Sequence, residues 1–68
     1  MNNNYGACIE RGVVTMVCEG GYKVKSLTRD GITTPALPSI GGTTYQVGDR
    51  VYFFVFDDGH GAILAAFQ

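Results

Sequence analysis

The sequence predicts an all-β fold, a small five-stranded barrel with short hairpin turns and no substantial helix. Three observations predict this class. The run 51–56 consists only of β-branched and aromatic residues, which is typical of a strand buried on both sides. Gly-Gly and Asp-Gly pairs separate the apolar runs and indicate tight turns. No window repeats apolar residues at the helical spacing of three and four.

The sequence predicts a polar N-terminal arm over residues 1–8, followed by a single domain over residues 9–68. The first strand is predicted over residues 9–18, and a Gly-Gly turn leads into a second strand over residues 22–28. Alternation predicts two faces for the first strand: Val13, Thr15 and Val17 against Val14, Met16 and Cys18. For the second strand it predicts an inward set and an outward set: Tyr22, Val24 and Ser26 against Lys23 and Lys25.

A third, short strand is predicted over residues 32–34, after an Asp-Gly turn and before Pro35. Because proline has no amide hydrogen to donate, the stretch 35–44 with its two prolines is predicted to be a loop. Leu37 and Ile40 are predicted to enter the core from this loop and to plug one end of the barrel.

The C-terminal hairpin is the most informative part of the chain. A fourth strand over residues 51–56 and a fifth over residues 62–67 flank a turn of sequence Asp-Asp-Gly-His-Gly. Alternation places Val51, Phe53 and Val55 on the face that fills the core. A five-stranded barrel of this size is SH3-like or OB-like, and the residues leave that choice open, since an OB barrel usually has a helix where this chain has its proline-containing loop.

Length and composition indicate one globular domain with a small core. The 68 residues carry a net charge of −1, and 16% of them are charged, against a usual fraction of about 25%. A surface so poor in charge is expected where part of it is hidden in a complex. No stretch approaches the ~20 apolar residues of a membrane span, and the start of the chain lacks the features of a secretory signal. We therefore predict an intracellular, cytoplasmic protein.

Nothing in the sequence predicts catalysis, a metal site or a cofactor. His60, the one histidine, lies between two glycines in a predicted turn, without the nucleophile and orienting group that catalysis requires. Asp57 and Asp58 beside it are ordinary turn residues, with no further cluster to complete a metal shell. Cys8 and Cys18 lack the Cys-x-x-Cys spacing and are predicted to be reduced thiols, with a bridge between them as the alternative.

The second face of the C-terminal hairpin is the best candidate for a binding site. It is predicted to carry the aromatic residues that alternate with the core set, together with residues of the last strand: Tyr52, Phe54, Phe56, Ile63 and Phe67. If the chain leaves these side chains uncovered, they form a patch of the kind that marks an interface in a soluble protein. The alternative is that a strongly coiled barrel and the N-terminal arm cover them internally.

A nucleic-acid site is the runner-up, because small barrels often bind nucleic acids. Lys23 and Lys25 share a predicted strand face, Arg29 follows that strand, and Tyr22 is a candidate stacking platform. Against this, the chain has only five cationic residues and six acidic ones, and phosphate contacts supply most non-specific affinity. We therefore expect nucleic acid to be the less favoured partner.

The chain also carries a pattern that resembles known modules. The pattern is Gly12-Val-Val-x-x-Val17, Tyr22-x-Val-x-Ser-Leu27, Asp30-Gly31, Tyr45-x-Val-Gly-Asp-x-Val51 and Asp58-Gly-x-Gly-x-Ile-Leu64. Over residues 10–66 it resembles small barrel modules of tailed-phage tail and baseplate proteins, and the Val-Gly-Asp-x-Val part also occurs in S1-type RNA-binding barrels. The phage resemblance implies a structural or assembly role, often in a ring or trimer, for a protein encoded by a phage or prophage. It identifies no functional residue, because such modules share no catalytic motif.

These observations combine into one expectation. The chain is predicted to be a non-enzymatic structural or interaction module that forms homo-oligomers or joins phage structural proteins, without a cofactor and away from membranes. Its place is then the cytoplasm, or the virion if a phage encodes it. The alternative is a nucleic-acid-binding barrel of S1 or cold-shock type.

Overall fold

A computed structural model describes residues 8–67 as one antiparallel sheet of four strands. The strands are β1 (Glu10–Cys18), β2 (Gly21–Ser26), β3 (Arg50–Val55) and β4 (Gly61–Ala66), in the spatial order β2-β1-β3-β4. The connection from β2 to β3 contains a 3-10 turn at Ile40–Gly42 and no α-helix. The all-β prediction is thereby confirmed. All but the last residue of the predicted arm lies outside the described residues.

The predicted five-stranded barrel is not formed, because the sheet has four strands and is not closed. The predicted third strand at residues 32–34 forms only an isolated bridge, from Thr33 to Lys25. The Thr34 amide donates to the Val24 carbonyl at 2.8 Å. The Val24 amide donates to the Thr34 side-chain hydroxyl at 3.1 Å rather than to a backbone carbonyl, so the ladder with β2 is interrupted before pairing resumes at Leu37.

The connecting segment 33–39 nevertheless spans the open side of the sheet. Leu37 and Tyr22 exchange two backbone hydrogen bonds of 2.8 Å at the edge of β2. One residue later, the Ile63 amide of β4 donates to the Pro38 carbonyl, also at 2.8 Å. The segment therefore contacts both edge strands and lies across the core between them.

The core lies between the sheet and this segment. Its buried apolar side chains form a single cluster: Val14, Val24, Leu37, Tyr45, Val51, Phe53 and Ile63. The predicted inward set of β3 is confirmed for Val51 and Phe53, which are fully buried, while Val55 is half-buried. Leu37 enters the core as predicted, whereas Ile40 does not and is 51% exposed.

Two β-bulges change which side chains share a face. In β1, Val14 pairs with Val24 but Met16 pairs with Lys23, so Thr15 is an extra residue between the pairs. A bulge of this kind reverses the alternation beyond it. Met16 is consequently 50% exposed, and the prediction that it shares the face of Val14 is wrong.

The second bulge lies in β4. Tyr52 pairs with Ala65 and Phe53 with Ile63, which leaves Leu64 as the extra residue. Because directly paired residues point to the same side of a sheet, Ile63 faces the core with Phe53, and Ala65 faces away with Tyr52. Ile63 is fully buried, so its predicted place in an exposed patch is wrong.

The two loop residues predicted to enter the core provide a matched test of this packing. Leu37→Ala should lower the free energy of unfolding by about 2–5 kcal/mol, because it empties a buried site beneath the sheet. Ile40→Ala removes an exposed side chain from the same loop and should change the free energy by less than about 0.5 kcal/mol. Urea denaturation of both variants measures the difference. Equal losses would contradict the described position of the loop.

Candidate binding face

The side of the sheet opposite the core, here called the outer face, carries stacked aromatic side chains. The rings of Tyr52 in β3 and Phe67 just after β4 are stacked, with centroids 4.7 Å apart and planes at 29°. Register explains the contact, since Tyr52 pairs with Ala65 and the Phe67 amide donates to the Arg50 carbonyl at 2.8 Å. Tyr52 remains 38% exposed.

A second aromatic pair continues along β3. The rings of Phe54 and Phe56 lie edge to face with centroids 5.5 Å apart, a favourable arrangement for aromatic rings. Phe56 is 41% exposed and Phe54 is half-buried. We call these four residues, Tyr52, Phe54, Phe56 and Phe67, the aromatic patch. It contains every residue of the predicted interface except Ile63.

Cationic side chains lie beside the aromatic patch on the same outer face. Arg11 of β1 pairs directly with Tyr52, and Val13 pairs with Arg50 on one side and Lys25 on the other. Lys23 shares the face because it lies two residues from Lys25 in β2. Arg11 and Arg50 were not among the predicted site residues. Their positions along each strand were visible in the sequence, but the strand register that puts Arg11 beside Tyr52 was not.

The two other residues predicted for nucleic-acid binding are engaged elsewhere. Arg29 donates from Nη2 to Glu10 Oε2 at 2.8 Å and from Nε to Oε1 at 3.1 Å. Tyr22 places its ring edge to face with buried Tyr45, at a centroid distance of 5.5 Å. Its hydroxyl also accepts the Tyr45 amide at 3.2 Å. Lys23 and Lys25 are therefore the only members of that predicted set on the outer face.

Glu10 is the centre of a polar network that fixes the end of β2. Its Oε1 accepts the hydroxyls of Ser26 and Thr28 at 2.9 and 3.0 Å, in addition to Arg29. The Ser26 hydroxyl oxygen in turn accepts the Arg29 amide at 2.9 Å. Burial acts to raise the pKa of Glu10, but the hydrogen bonds from Arg29, Ser26 and Thr28 outweigh it and hold that pKa below its ordinary value.

Most of the acidic residues lie in turns rather than on the outer face. Glu19, Asp30 and Asp49 lie in three separate turns, while Asp57 and Asp58 share the turn between β3 and β4. The Asp58 carboxylate accepts a hydrogen bond from Nδ1 of the His60 imidazole at 3.0 Å. That hydrogen bond raises the pKa of His60 and lowers the pKa of Asp58. The pair is exposed and shapes its own turn.

Little else in the described structure suggests chemistry. Residues 8–67 contain no group of three or more His, Cys, Asp or Glu side chains placed to hold a metal ion. A shallow, open cleft of about 300 Å³ lies between the turn after β1 and residues 38–44, and half-buried Cys18 lines it. Both cysteines are free. Nowhere in residues 8–67 is a helix long and apolar enough to cross a bilayer.

Comparisons with protein families, with curated proteins and with solved structures gave no match.

The Glu10 network predicts a pH dependence of stability. Because the folded-state pKa of Glu10 lies below its unfolded value, the unfolded chain binds the proton more readily. The stabilisation is thus complete above the unfolded pKa and is lost as the pH falls through the folded one. Glu10→Gln and Arg29→Gln should each reduce the loss of stability between about pH 5 and 3, measured by urea denaturation. If the free energy of unfolding falls with pH as steeply in both variants as in wild type, the network does not produce the pH dependence.

Proposed function

We propose that the chain is a non-enzymatic assembly module that self-associates through the aromatic patch, on a small SH3-like or OB-like fold whose barrel stays open. The observation that carries the proposal is the pair of aromatic contacts on the outer face, where Tyr52 and Phe56 stay 38% and 41% exposed. The segment 33–39 does not cover these rings, because it packs against the core on the opposite side of the sheet.

Physical considerations favour a protein partner for such a patch. Burial of apolar surface contributes about 25 cal/mol per Å², and aromatic residues are enriched in the centres of interfaces. A chain of 68 residues has a small core and is marginally stable alone. Pairing of outer faces would add a second apolar layer to the sheet and stabilise the folded chain by mass action.

The resemblance to tailed-phage tail and baseplate modules is consistent with this proposal. Such modules assemble into rings or trimers, and the resemblance extends to a virion location if a phage encodes the chain. The choice among dimer, trimer and ring belongs to experiment. Each of these assemblies requires copies of the chain to associate through the outer face.

Light scattering coupled to size exclusion tests the proposal on untagged protein over a range of concentrations. We expect an oligomer whose population rises with concentration. Tyr52→Glu should dissociate it, because a carboxylate in place of the stacked ring cannot be buried without a partner. Val17→Glu is the matched control, since Val17 is an apolar strand residue that is 53% exposed and lies outside the aromatic patch. Circular dichroism should report a folded chain for both variants.

Two results would contradict self-association. One is a wild-type monomer at every concentration. The other is equal dissociation by Tyr52→Glu and Val17→Glu, which would place the interface elsewhere.

A nucleic-acid-binding module is the second candidate, favoured by the cations on the outer face. Arg11 and Arg50 lie beside Tyr52, and Lys25 lies one strand further on. Together with Lys23, they lie on one side of rings on which bases can stack. The chain nevertheless has a net charge of −1, which disfavours the approach of a phosphate backbone.

A fluorescence titration with short single-stranded DNA and RNA decides this alternative. If four cations each contact a phosphate, the affinity should fall about 50-fold between 50 and 200 mM salt. Lys25→Glu should weaken binding at the lower salt concentration. The absence of saturable binding at 50 mM salt would exclude the alternative.

A further inference from the structure

Charge is distributed unevenly along the outer side of the β3–β4 hairpin. Arg50 lies at the start of β3, in a row with Lys25 of β2. Asp57 and Asp58 lie at the other end, in the turn after β3. The aromatic patch lies between these ends. The hairpin therefore has a cationic end at the start of β3, an apolar centre on the outer face and an acidic end in its turn.

The spacing of these charges suits a second copy of the same chain. Arg50 and Asp57 are seven residues apart, and an extended chain rises about 3.3 Å per residue, so the ends are separated by roughly 23 Å. A two-fold axis that lies parallel to the sheet and perpendicular to β3 places these ends of two copies opposite each other. Two outer faces packed about an axis in the plane between them, with their β3 strands antiparallel, place each cationic end opposite the acidic end of the other copy.

We propose that the outer face is a self-complementary, two-fold interface in which β3 strands run antiparallel and Arg50 of each copy pairs with Asp57 of the other. This inference rests on the proposed self-association and adds its partner and orientation. In such an isologous contact the same patch is used twice, so a single complementary pair of charges is satisfied on both sides of the axis. The aromatic patches then meet at the centre, where water is excluded.

The charges available on the described chain support this pairing. Arg50 and Asp57 form no ion pair with any residue between 8 and 67. Arg29, by contrast, is held by Glu10, and Asp58 is held by His60. The two ends of the hairpin, Arg50 at one and Asp57 at the other, therefore carry charges free to pair with another molecule.

The acidic end also favours a second copy over a nucleic acid. A single strand that follows β3 from Arg50 would bring phosphates toward Asp57 and Asp58, where like charges repel. A second copy in the antiparallel orientation presents the opposite sign at both ends. Charge complementarity of this kind selects the orientation of a complex and excludes misaligned ones.

Charge reversal with mixing tests the orientation. Arg50→Glu places like charges at both symmetric contacts, and so does Asp57→Lys. Each variant alone should dimerise at least about tenfold more weakly than wild type. When the two variants are mixed in equal amounts, the new glutamate faces the new lysine at one contact and native Arg50 faces native Asp57 at the other. A heterodimer of near wild-type affinity should form, as measured by light scattering and by native mass spectrometry of mixed species.

Asp30→Lys is the matched control. It reverses an exposed acidic residue that also lies in a turn but outside the hairpin, and it should leave the dimer unchanged. The double variant Arg50→Glu with Asp57→Lys should dimerise with itself. Circular dichroism of each variant shows whether it is folded, and rescue on mixing cannot arise from misfolded chains.

The outcomes separate this inference from the proposed function. If wild type dimerises through Tyr52 but Arg50→Glu and Asp57→Lys have no effect, the orientation is wrong and self-association stands. Weakening without rescue on mixing would also overturn the antiparallel pairing. A wild-type monomer at all concentrations overturns both proposals. Oligonucleotide binding that Arg50→Glu abolishes in a monomeric protein would assign the outer face to nucleic acid instead.

Discussion

The backbone pairing of the segment 33–39 with both edges of the sheet is the constraint on which the rest of the structure depends. Leu37 and Tyr22 exchange two hydrogen bonds, and the Pro38 carbonyl accepts the Ile63 amide. An open sheet of four strands otherwise has one apolar face in water. The segment closes that face with Leu37 and satisfies part of each edge. Since it lies on the inner side, it does not cover the outer one, where Tyr52 and Phe56 stay partly exposed.

The two bulges turn this arrangement into a specific surface. Gly12 shows how closely the strands pack: a Cβ at this position would contact the Val24 side chain and lie 2.8 Å from a ring carbon of Phe53. Such close packing tolerates no slip of register. The bulge at Leu64 sends Ile63 into the core and leaves Ala65 and Phe67 outside, where Phe67 stacks on Tyr52. Without that extra residue, strict alternation would put Ile63 and Phe67 on the same side of the sheet.

Electrostatic pairing within the chain decides which charges remain for a partner. Glu10 binds Arg29 through both carboxylate oxygens, so the charge of Arg29 is already paired within the chain. His60 does the same for Asp58. The charges left on the outer face and at the end of its hairpin are of both signs and lie at opposite ends. A chain with a net charge of −1 thereby presents a strongly patterned surface, a property that composition does not reveal.

The amino-acid sequence by itself determined the all-β class, the approximate positions of four of the five predicted strands, and the inward positions of Val51 and Phe53. These features follow from local rules, because alternation and turn chemistry act between residues close in the chain. Only the tertiary structure decided that Leu37 rather than Ile40 fills the core, that Ile63 leaves the patch, and that Arg11 lies beside Tyr52. Those outcomes depend on bulges and on strand register. The register that puts Arg11 beside Tyr52 joins residues about 40 positions apart, and no single stretch of sequence specifies it.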